Sequence, residues 1–283
     1  MKLLRFGPKG QERPGLLDAE GNIRDLSSQV ADIDGSVLAD TDRMAMLAAL
    51  EPSTLPPVEG PVRLAEPVAR IGKFLCIGLN YSDHAAEAGA ALPDEPIIFS
   101  KATSAIIGPN DDVVLPPTSV KSDWEVELGV VIGREARYVP VEQAMSHVAG
   151  FCVVNDLSER EYQLERSGTW DKGKGCDTFG PLGPWLVTPD EFRDYGRAGM
   201  WLDLNGERMQ TGNTATMIFD VPYLVHYVSQ FMSLQPGDVI STGTPPGVGM
   251  GRKPPLYLKE GDVMELGIEG LGTQRQVVRR HTI

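Results

Sequence analysis

One nine-residue run carries both the architecture and the chemistry of this chain: Trp124-Glu125-Val126-Glu127-Leu128-Gly129-Val130-Val131-Ile132. Its aliphatic and β-branched residues favour a β-strand. Along a strand, residues i and i+2 point to one face about 6–7 Å apart, so Glu125 and Glu127 project together. Two carboxylates that share a face repel unless a cation lies between them. Either the face is exposed and water screens both charges, or it is concave and holds a hard divalent cation with oxygen ligands.

Length and composition indicate a globular protein of one large domain, or of one with a small companion. The chain has 283 residues, of which 41% are hydrophobic, enough for a sizeable core. The net charge of −13 repels phosphate backbones, so we expect no nucleic-acid partner. We expect no membrane span, because no stretch approaches roughly 18 apolar residues, and no signal peptide. Three cysteines without framework spacing, Cys76, Cys152 and Cys176, favour a reducing, cytoplasmic location.

The 31 glycines and 22 prolines are spread along the chain, which is typical of many short strands joined by tight turns. Residues 1–60 predict a small N-terminal α+β domain, and four prolines between 51 and 61 indicate a linker. Residues 61–283 predict a strand-rich catalytic domain, and the absence of a βαβ rhythm disfavours a doubly wound parallel sheet. The predicted strands include 2–6, 74–77, 97–99, 113–115, 125–132, 150–154, 201–204, 239–241 and 263–268, and the predicted helices are 40–50, 82–88 and 222–232.

A third carboxylate, Asp156, follows the apolar strand predicted at 150–154. An isolated Asp in this position most often caps a following helical turn. It could also complete a cation site with Glu125 and Glu127. Arg160 and Gln163 follow at offsets of four and seven, which would place them on one helical face with Asp156.

The predicted helix 82–88 carries His84 and Glu87 at positions i and i+3, so the two side chains are neighbours on one face. A carboxylate beside an imidazole makes it a better base. The ordinary alternative is a surface contact of little energetic value.

Two further loops contain residues that could meet an anion. Lys172 and Lys174 lie in a glycine-bearing loop, where the alternative is a solvated surface. Cys176 is disfavoured as a nucleophile because the sequence identifies no partner histidine. The later loop around Thr242 and Thr244 has glycines spaced GxGxG rather than the GxGxxG of dinucleotide sites, but its amides and hydroxyls could receive a carboxylate.

Taken in order, these motifs resemble the fumarylacetoacetate hydrolase family over about residues 70–270. The chain also resembles the bacterial acylpyruvase-type members of this family, including the 2,4-diketo-3-deoxy-L-fuconate hydrolases of sugar-acid catabolism. The motifs that carry the resemblance are Gly78-Leu79-Asn80-Tyr81 with His84 and Glu87, Phe99-Ser100-Lys101, Glu125-Val126-Glu127-Leu128, Asn155-Asp156 with Arg160, Lys174-Gly175 followed by Asp177-Thr178-Phe179-Gly180-Pro181, and Thr242-Gly243-Thr244-Pro245.

The resemblance implies an α+β, strand-rich fold with a mixed β-roll core, a homodimer, and Mg²⁺ or Mn²⁺ as the cofactor. The implied metal ligands are Glu125, Glu127 and Asp156. The implied catalytic residues are His84 and Glu87, which activate water, and Lys174, which stabilises an oxyanion. We further expect four residues to contact the substrate: Lys101, Arg160, Gln163 and Thr244.

The activity implied is metal-dependent hydrolysis of the C–C bond of a 2,4-dioxo acid, either an acylpyruvate or a 2,4-diketo-3-deoxy sugar acid, to pyruvate and a second acid. The partner is then a small anionic oxo acid. The alternatives use the same metal site as an oxaloacetate decarboxylase, a 2-oxo acid hydratase or tautomerase, or a ureidoglycolate lyase. A non-catalytic, metal-dependent binding protein would retain the carboxylates but would not need the pair formed by His84 and Glu87.

Overall fold

The structure is a computed structural model that describes residues 1–89 and 91–282, and strands dominate it. The strands are β1 Lys2–Phe6, β2 Arg13–Leu17, β3 Ile23–Asp25, β4 Phe74–Gly78, β5 Ile97–Lys101, β6 Ile106–Ile107, β7 Val113–Leu115, β8 Ser122–Asp123, β9 Val126–Ile132, β10 Val148–Asn155, β11 Ser158–Glu159, β12 Gly180–Val187, β13 Gly199–Leu204, β14 Glu207–Asn213, β15 Val239–Ser241, β16 Val263–Ile268 and β17 Gly272–Arg280. The α-helices are α1 Gly35–Ala39, α2 Thr41–Ala48, α3 Ser82–Ala88, α4 Asp171–Lys174 and α5 Val221–Ser229. Short 3-10 helices span Pro52–Thr54, Thr103–Ala105, Val141–His147, Thr214–Thr216 and Gly249–Gly251, and a π-helix spans Glu161–Glu165.

A mixed ten-stranded sheet forms the centre of the molecule, in the order β3-β2-β1-β12-β10-β9-β15-β4-β5, with β6 beside β12. Strand β9 is antiparallel to β10 and β15, whereas β15 is parallel to β4. A second sheet has the order β14-β13-β16-β17-β7, and β8 pairs with β11. The predicted strand-rich α+β class is therefore confirmed.

The two faces of β9 contribute to different parts of the core. Val126, Leu128 and Val130 pack in the cluster shared with the second sheet. Val131 packs in the other cluster, with residues of β1 and β10. Since alternate residues of a strand point to opposite faces, Glu125 and Glu127 share the face of Val131. The carboxylates thus continue a buried face of the sheet.

The N-terminal residues extend the central sheet, because Lys2 of β1 pairs with Val187 of β12. The proline-rich segment packs against this region: Arg24 and Pro57 form an isolated bridge. Buried Arg5 binds both Asp32 and Glu66, so charge pairing crosses the predicted boundary at residue 60. That boundary, and the linker expected beside it, stay predictions.

The observed strands agree with the predicted ones within two residues, and helix α5 ends three residues before the predicted end. Strand β12 was not predicted, because its sequence Gly180-Pro181-Leu182-Gly183-Pro184 is typical of a loop. Among the described helices, none is long and apolar enough to cross a membrane.

Candidate active site

Three carboxylates converge where β9 begins and β10 ends. Glu125 directly precedes β9, Glu127 lies within it, and Asp156 directly follows β10. The antiparallel register, which pairs Val126 with Asn155, places these positions side by side. One carboxylate oxygen from each residue lies within 4.8 Å of the others, and all three residues are buried. The exposed-face alternative is therefore wrong, and Asp156 caps no helix, because the short strand β11 follows it.

The donor set fits a hard divalent cation, because it consists of three anionic oxygen ligands held close together. Burial and the nearby charges of Asp156 and Glu125 raise the pKa of Glu127 well above its ordinary value. A cation among the three carboxylates would relieve that repulsion. Mg²⁺ and Mn²⁺ both suit such oxygen ligands.

Glu127 is oriented by the segment that follows β15. The hydroxyl of Ser241 donates to its Oε2 at 2.6 Å, and the backbone N–H of Gly243 donates to the same oxygen at 2.8 Å. Among the described residues, no hydrogen bond reaches Oε1 of Glu127, which leaves this oxygen available as a ligand.

Two lysines surround Asp156. The Nζ of Lys174 lies 2.8 Å from Asp156 Oδ2 and 2.6 Å from Glu125 Oε2. Burial opposes the charge of Lys174, but the carboxylates of Asp156 and Glu125 outweigh it and raise its pKa. Lys174 is therefore an ammonium at neutral pH. The Nζ of Lys101 lies 2.7 Å from Asp156 Oδ1 and donates to the carbonyl of Leu157 at 2.8 Å.

Arg160 holds Glu125 from the other side. Its Nη2 lies 2.7 Å from Glu125 Oε1, and its Nη1 donates to Gln163 Oε1 at 3.0 Å. Burial opposes the charge of Glu125, but Lys174 and Arg160 outweigh burial and lower its pKa to about 2. The prediction that Asp156 shares a helical face with Arg160 and Gln163 is wrong. Strand β11 follows Asp156, and the π-helix that holds Gln163 begins only after Arg160.

His84 and Glu87 lie on α3, and His84 lines the same cavity as Glu125 and Glu127. The Nδ1 of His84 is 3.3 Å from Glu87 Oε2. Glu87 also accepts the backbone N–H of Gly247, at 3.1 Å to Oε2. The carboxylate of Glu87 thus joins the helix to the loop after β15 and holds one edge of the imidazole. The other ring nitrogen, Nε2, is left for a water molecule or substrate.

The cavity has a volume of about 220 Å³. Seven of the predicted site residues line it: His84, Glu125, Glu127, Arg160, Gln163, Lys174 and Thr244. Glu87 does not line the cavity but contacts His84.

Lys101 and Thr244 differ from the substrate contacts expected of them. Lys101 is buried and does not line the cavity, and its ammonium is engaged by Asp156, so its contacts indicate a counter-charge for that carboxylate. The hydroxyl of Thr244 donates to the carbonyl of Val126 at 2.9 Å and accepts from Gln210 at 2.9 Å. Donation from Thr244 to a substrate carboxylate would require breaking the first of these bonds.

The two lysines of the glycine-bearing loop lie in different surroundings. Lys174 enters the cavity, whereas Lys172 donates to the carbonyls of Arg166 and Ser167 and does not line it. Cys176 does not line the cavity either, and burial raises the pKa of its thiol to about 11. A thiolate nucleophile is therefore unsupported.

Two residues that hold other parts of the site in position were not identified from the sequence. Asp123 is fully buried and accepts Arg160 Nε at 2.9 Å and the N–H groups of Gly249 and Met250 at 2.6 and 3.0 Å. No sequence pattern marks it. The side-chain amide of Asn80 donates to the carbonyl of Thr242 at 2.8 Å. Asn80 was visible as part of a motif, but without a role.

Replacing Asp123 with Asn should lower kcat/KM by roughly 10–100-fold, because a charged hydrogen bond to buried Arg160 is weakened. Arg160 would then hold Glu125 and Gln163 less rigidly. Steady-state kinetics of the folded variant measure the effect. Asp112→Asn is the matched control, because that carboxylate pairs with Arg279 on the exposed surface. Unchanged kinetics in folded Asp123→Asn would show that Asp123 does not position Arg160.

Comparison with known proteins identifies the family to which this chain belongs. The model of the fumarylacetoacetate (FAA) hydrolase C-terminal family matches residues 73–279. The chain belongs to the fumarylacetoacetate hydrolase family. A Burkholderia multivorans protein, named only as a candidate hydrolase, is 61% identical over 280 residues, which are 99% of each chain.

Solved structures of the fumarylacetoacetate hydrolase family share the fold. The fumarylacetoacetate hydrolase of Exiguobacterium antarcticum has a TM-score of 0.86 and 36% identity, covering 99% of this chain and all of that one. A maleylpyruvate hydrolase from Sphingobium sp. SYK-6, solved with manganese(II) and pyruvate, has a TM-score of 0.81 and 29% identity over the whole of both chains. Other neighbours include an isomerase of 2-hydroxyhepta-2,4-diene-1,7-dioate from Mycobacterium marinum. The family therefore includes both hydrolases and isomerases.

Proposed function

We propose that this protein cleaves the bond between C3 and C4 of a 2,4-dioxo acid by hydrolysis, releasing pyruvate and a second carboxylic acid. The observation that carries the proposal is the placement of His84, backed by Glu87, in the same cavity as Lys174, Glu125 and Glu127. These two carboxylates belong with Asp156 to the buried cluster of three. Hydrolysis needs a base that activates water, in addition to a site for the oxo acid. The maleylpyruvate hydrolase solved with manganese(II) and pyruvate supports this choice by analogy.

Glu125, Glu127 and Asp156 would hold Mg²⁺ or Mn²⁺. When bound, the cation supplies Lewis-acid stabilisation of a carbonyl oxygen and of the negative charge that develops on it.

His84 removes a proton from water at Nε2, while Glu87 at Nδ1 fixes the ring and stabilises its charged form. The resulting hydroxide forms a bond with C4. The C3–C4 bond then breaks, and its electron pair passes to C3 and the C2 carbonyl as the enolate of pyruvate. His84 then gives the proton that it took from water to C3, which completes pyruvate and restores the neutral imidazole.

Lys174 stabilises the oxyanion that forms on C4. An ammonium has three hydrogens. Two are donated to Glu125 and Asp156, and among the described residues the only further hydrogen bond of Nζ is a long one of 3.4 Å to the Asp156 carbonyl. The third hydrogen can therefore turn toward substrate without loss of a strong bond.

Isomerisation or decarboxylation of an oxo acid is the second candidate, and the isomerase among the structural neighbours favours it. Such reactions would use the same carboxylates without activating water. Ureidoglycolate cleavage belongs to the same group of alternatives.

The products distinguish these functions: hydrolysis of a dioxo acid gives pyruvate and a second acid, decarboxylation of oxaloacetate gives pyruvate and carbon dioxide, and cleavage of ureidoglycolate gives no pyruvate. The protein is stripped with a chelator, reloaded with Mg²⁺ or Mn²⁺, and assayed on acylpyruvates, 2,4-diketo-3-deoxy sugar acids, oxaloacetate and ureidoglycolate. We expect equal amounts of pyruvate and a second acid from a dioxo acid, only in the reloaded protein. Faster turnover of oxaloacetate or ureidoglycolate than of every dioxo acid would overturn the proposal.

Oxalate should inhibit competitively, and more strongly than pyruvate. It is planar and carries negative charge on both ends, so it resembles the enolate more than the ketone, and a site built for developing charge binds such a mimic more tightly. Inhibition constants for oxalate and pyruvate are measured with Mg²⁺ and after chelation. Equal constants, or inhibition by oxalate that survives chelation, would contradict stabilisation of an enolate.

A further inference from the structure

We infer that the acyl group of the substrate is uncharged and ends in an apolar group, and that Leu164 and Met250 select it. This inference rests on the proposed function and narrows its substrate class. It separates this chain from enzymes whose substrate carries a second carboxylate at the far end.

The cavity has a buried polar end and an exposed apolar mouth. At the polar end, Glu127 and Lys174 are each only 2% exposed. At the mouth, Leu164 is 52% exposed and Met250 is 38% exposed, and both line the cavity. Cavities that bind small molecules are lined mainly by apolar side chains, with a few polar groups that fix the orientation of the ligand.

An aromatic wall connects the two ends. The Nζ of Lys174 lies 5.0 Å from the centre of the Phe99 ring, and Phe99 packs edge-on against Trp170 at 5.3 Å. Trp170 in turn lies so close to Gly78 that a Cβ there would be 2.7 Å from its ring. The wall is therefore held in place, and it offers an apolar surface from the polar end outward.

Both apolar residues of the mouth are fixed relative to the polar end. Leu164 directly follows Gln163, whose amide oxygen accepts from Arg160 at 3.0 Å. The backbone N–H of Met250 donates to Asp123, which also binds Arg160. The backbone at both residues is thus linked through Arg160 to the polar end of the cavity that they line.

The cationic side chains in the described lining of the cavity are all paired, so none is free to bind a second carboxylate. Among its described lining residues, the permanent cations are Arg160 and Lys174. Arg160 is paired with Asp123 and Glu125, and Lys174 with Glu125 and Asp156. A carboxylate at the mouth would lose water without gaining a partner, which is unfavourable. An alkyl group there would instead be covered by Leu164, Met250 and the aromatic wall.

A pair of substrates of equal shape tests the inference: 4-methylpentanoylpyruvate, which ends in an isopropyl group, and succinylpyruvate, which ends in a carboxylate. We expect kcat/KM to favour the isopropyl compound by at least about 10-fold, because only the carboxylate must be desolvated without a partner. Leu164→Arg and Met250→Lys should each reduce or reverse that ratio. Val141→Arg is the control, because this exposed residue lies on a 3-10 helix outside the cavity and should leave the ratio unchanged.

Binding of uncleavable analogues keeps the inference separate from the proposed function. The dissociation constants of 7-methyl-2-oxooctanoate and 2-oxoheptanedioate, which lack the C4 carbonyl, are measured by calorimetry on the Mn²⁺-loaded protein. We expect tighter binding of the monocarboxylate, reversed or reduced in Leu164→Arg. Absence of pyruvate from every dioxo acid would overturn the proposed function alone. Equal or tighter binding of the dicarboxylate, with succinylpyruvate cleaved equally well or better, would overturn the inference alone.

Discussion

Glu127→Gln is expected to abolish measurable turnover and to lower Mn²⁺ affinity by more than about 100-fold. Changes to residues that only hydrogen-bond to metal ligands typically lower affinity by about 10–100-fold. The substitution removes one of three anionic ligands, and an amide oxygen is a weaker donor to a hard cation. Titration calorimetry with Mn²⁺ measures the affinity, and pyruvate release measures the activity.

The fold should survive this change. Because the pKa of Glu127 is raised in the folded protein, its ionisation opposes folding at neutral pH, and a neutral amide removes that cost. The metal-free variant should therefore melt no lower than the metal-free parent. Glu165→Gln, at an exposed carboxylate paired with Lys121, is the control for loss of a charge. Normal affinity and turnover in Glu127→Gln would refute the three-carboxylate site.

His84→Ala is expected to lower kcat by about 10²–10⁴-fold, the range typical of a general base, while leaving Mn²⁺ affinity unchanged. The imidazole lines the cavity but lies outside the cluster of three carboxylates. Calorimetry and steady-state kinetics on the same preparation separate the two effects. His281→Ala, near the C-terminus and exposed, serves as the control.

Glu87→Gln should act on the same step, because the proposed reaction uses Glu87 through the imidazole of His84. The double variant should then be little worse than His84→Ala, as expected of residues that act as a unit. Additive losses, or a loss of Mn²⁺ binding in His84→Ala, would remove the pair from the proposed role.

The parts of the site that could be predicted from the sequence are those that depend on the spacing of nearby residues. A two-residue period places Glu125 and Glu127 on one face, and a three-residue helical spacing brings His84 to Glu87. The approach of Asp156 depends instead on the register between β9 and β10, which pairs residues far apart in the chain. The residues alone left Asp156 as either a helix cap or a third ligand, and the resemblance to a family favoured the ligand.

Other features had no local signal. Lys101, at the end of β5, pairs with Asp156 although three strands separate β5 from β10 in the sheet order, and the sequence around Lys101 shows only a strand. Asp123 gains its role from the turn at Gly249 and from Arg160, both distant in sequence. Strand β12 lies between β1 and β10 despite its glycines and prolines, so tertiary pairing outweighs local propensity there.

Oxygen labelling tests the central claim most directly. The Mg²⁺-loaded protein is allowed to turn over an acylpyruvate in ¹⁸O-enriched water, and the products are analysed by mass spectrometry at early times. Hydrolysis by water activated at His84 predicts pyruvate together with a second acid whose new carboxylate carries ¹⁸O from the solvent. An isomer of the substrate, or carbon dioxide with no labelled acid, would contradict the account.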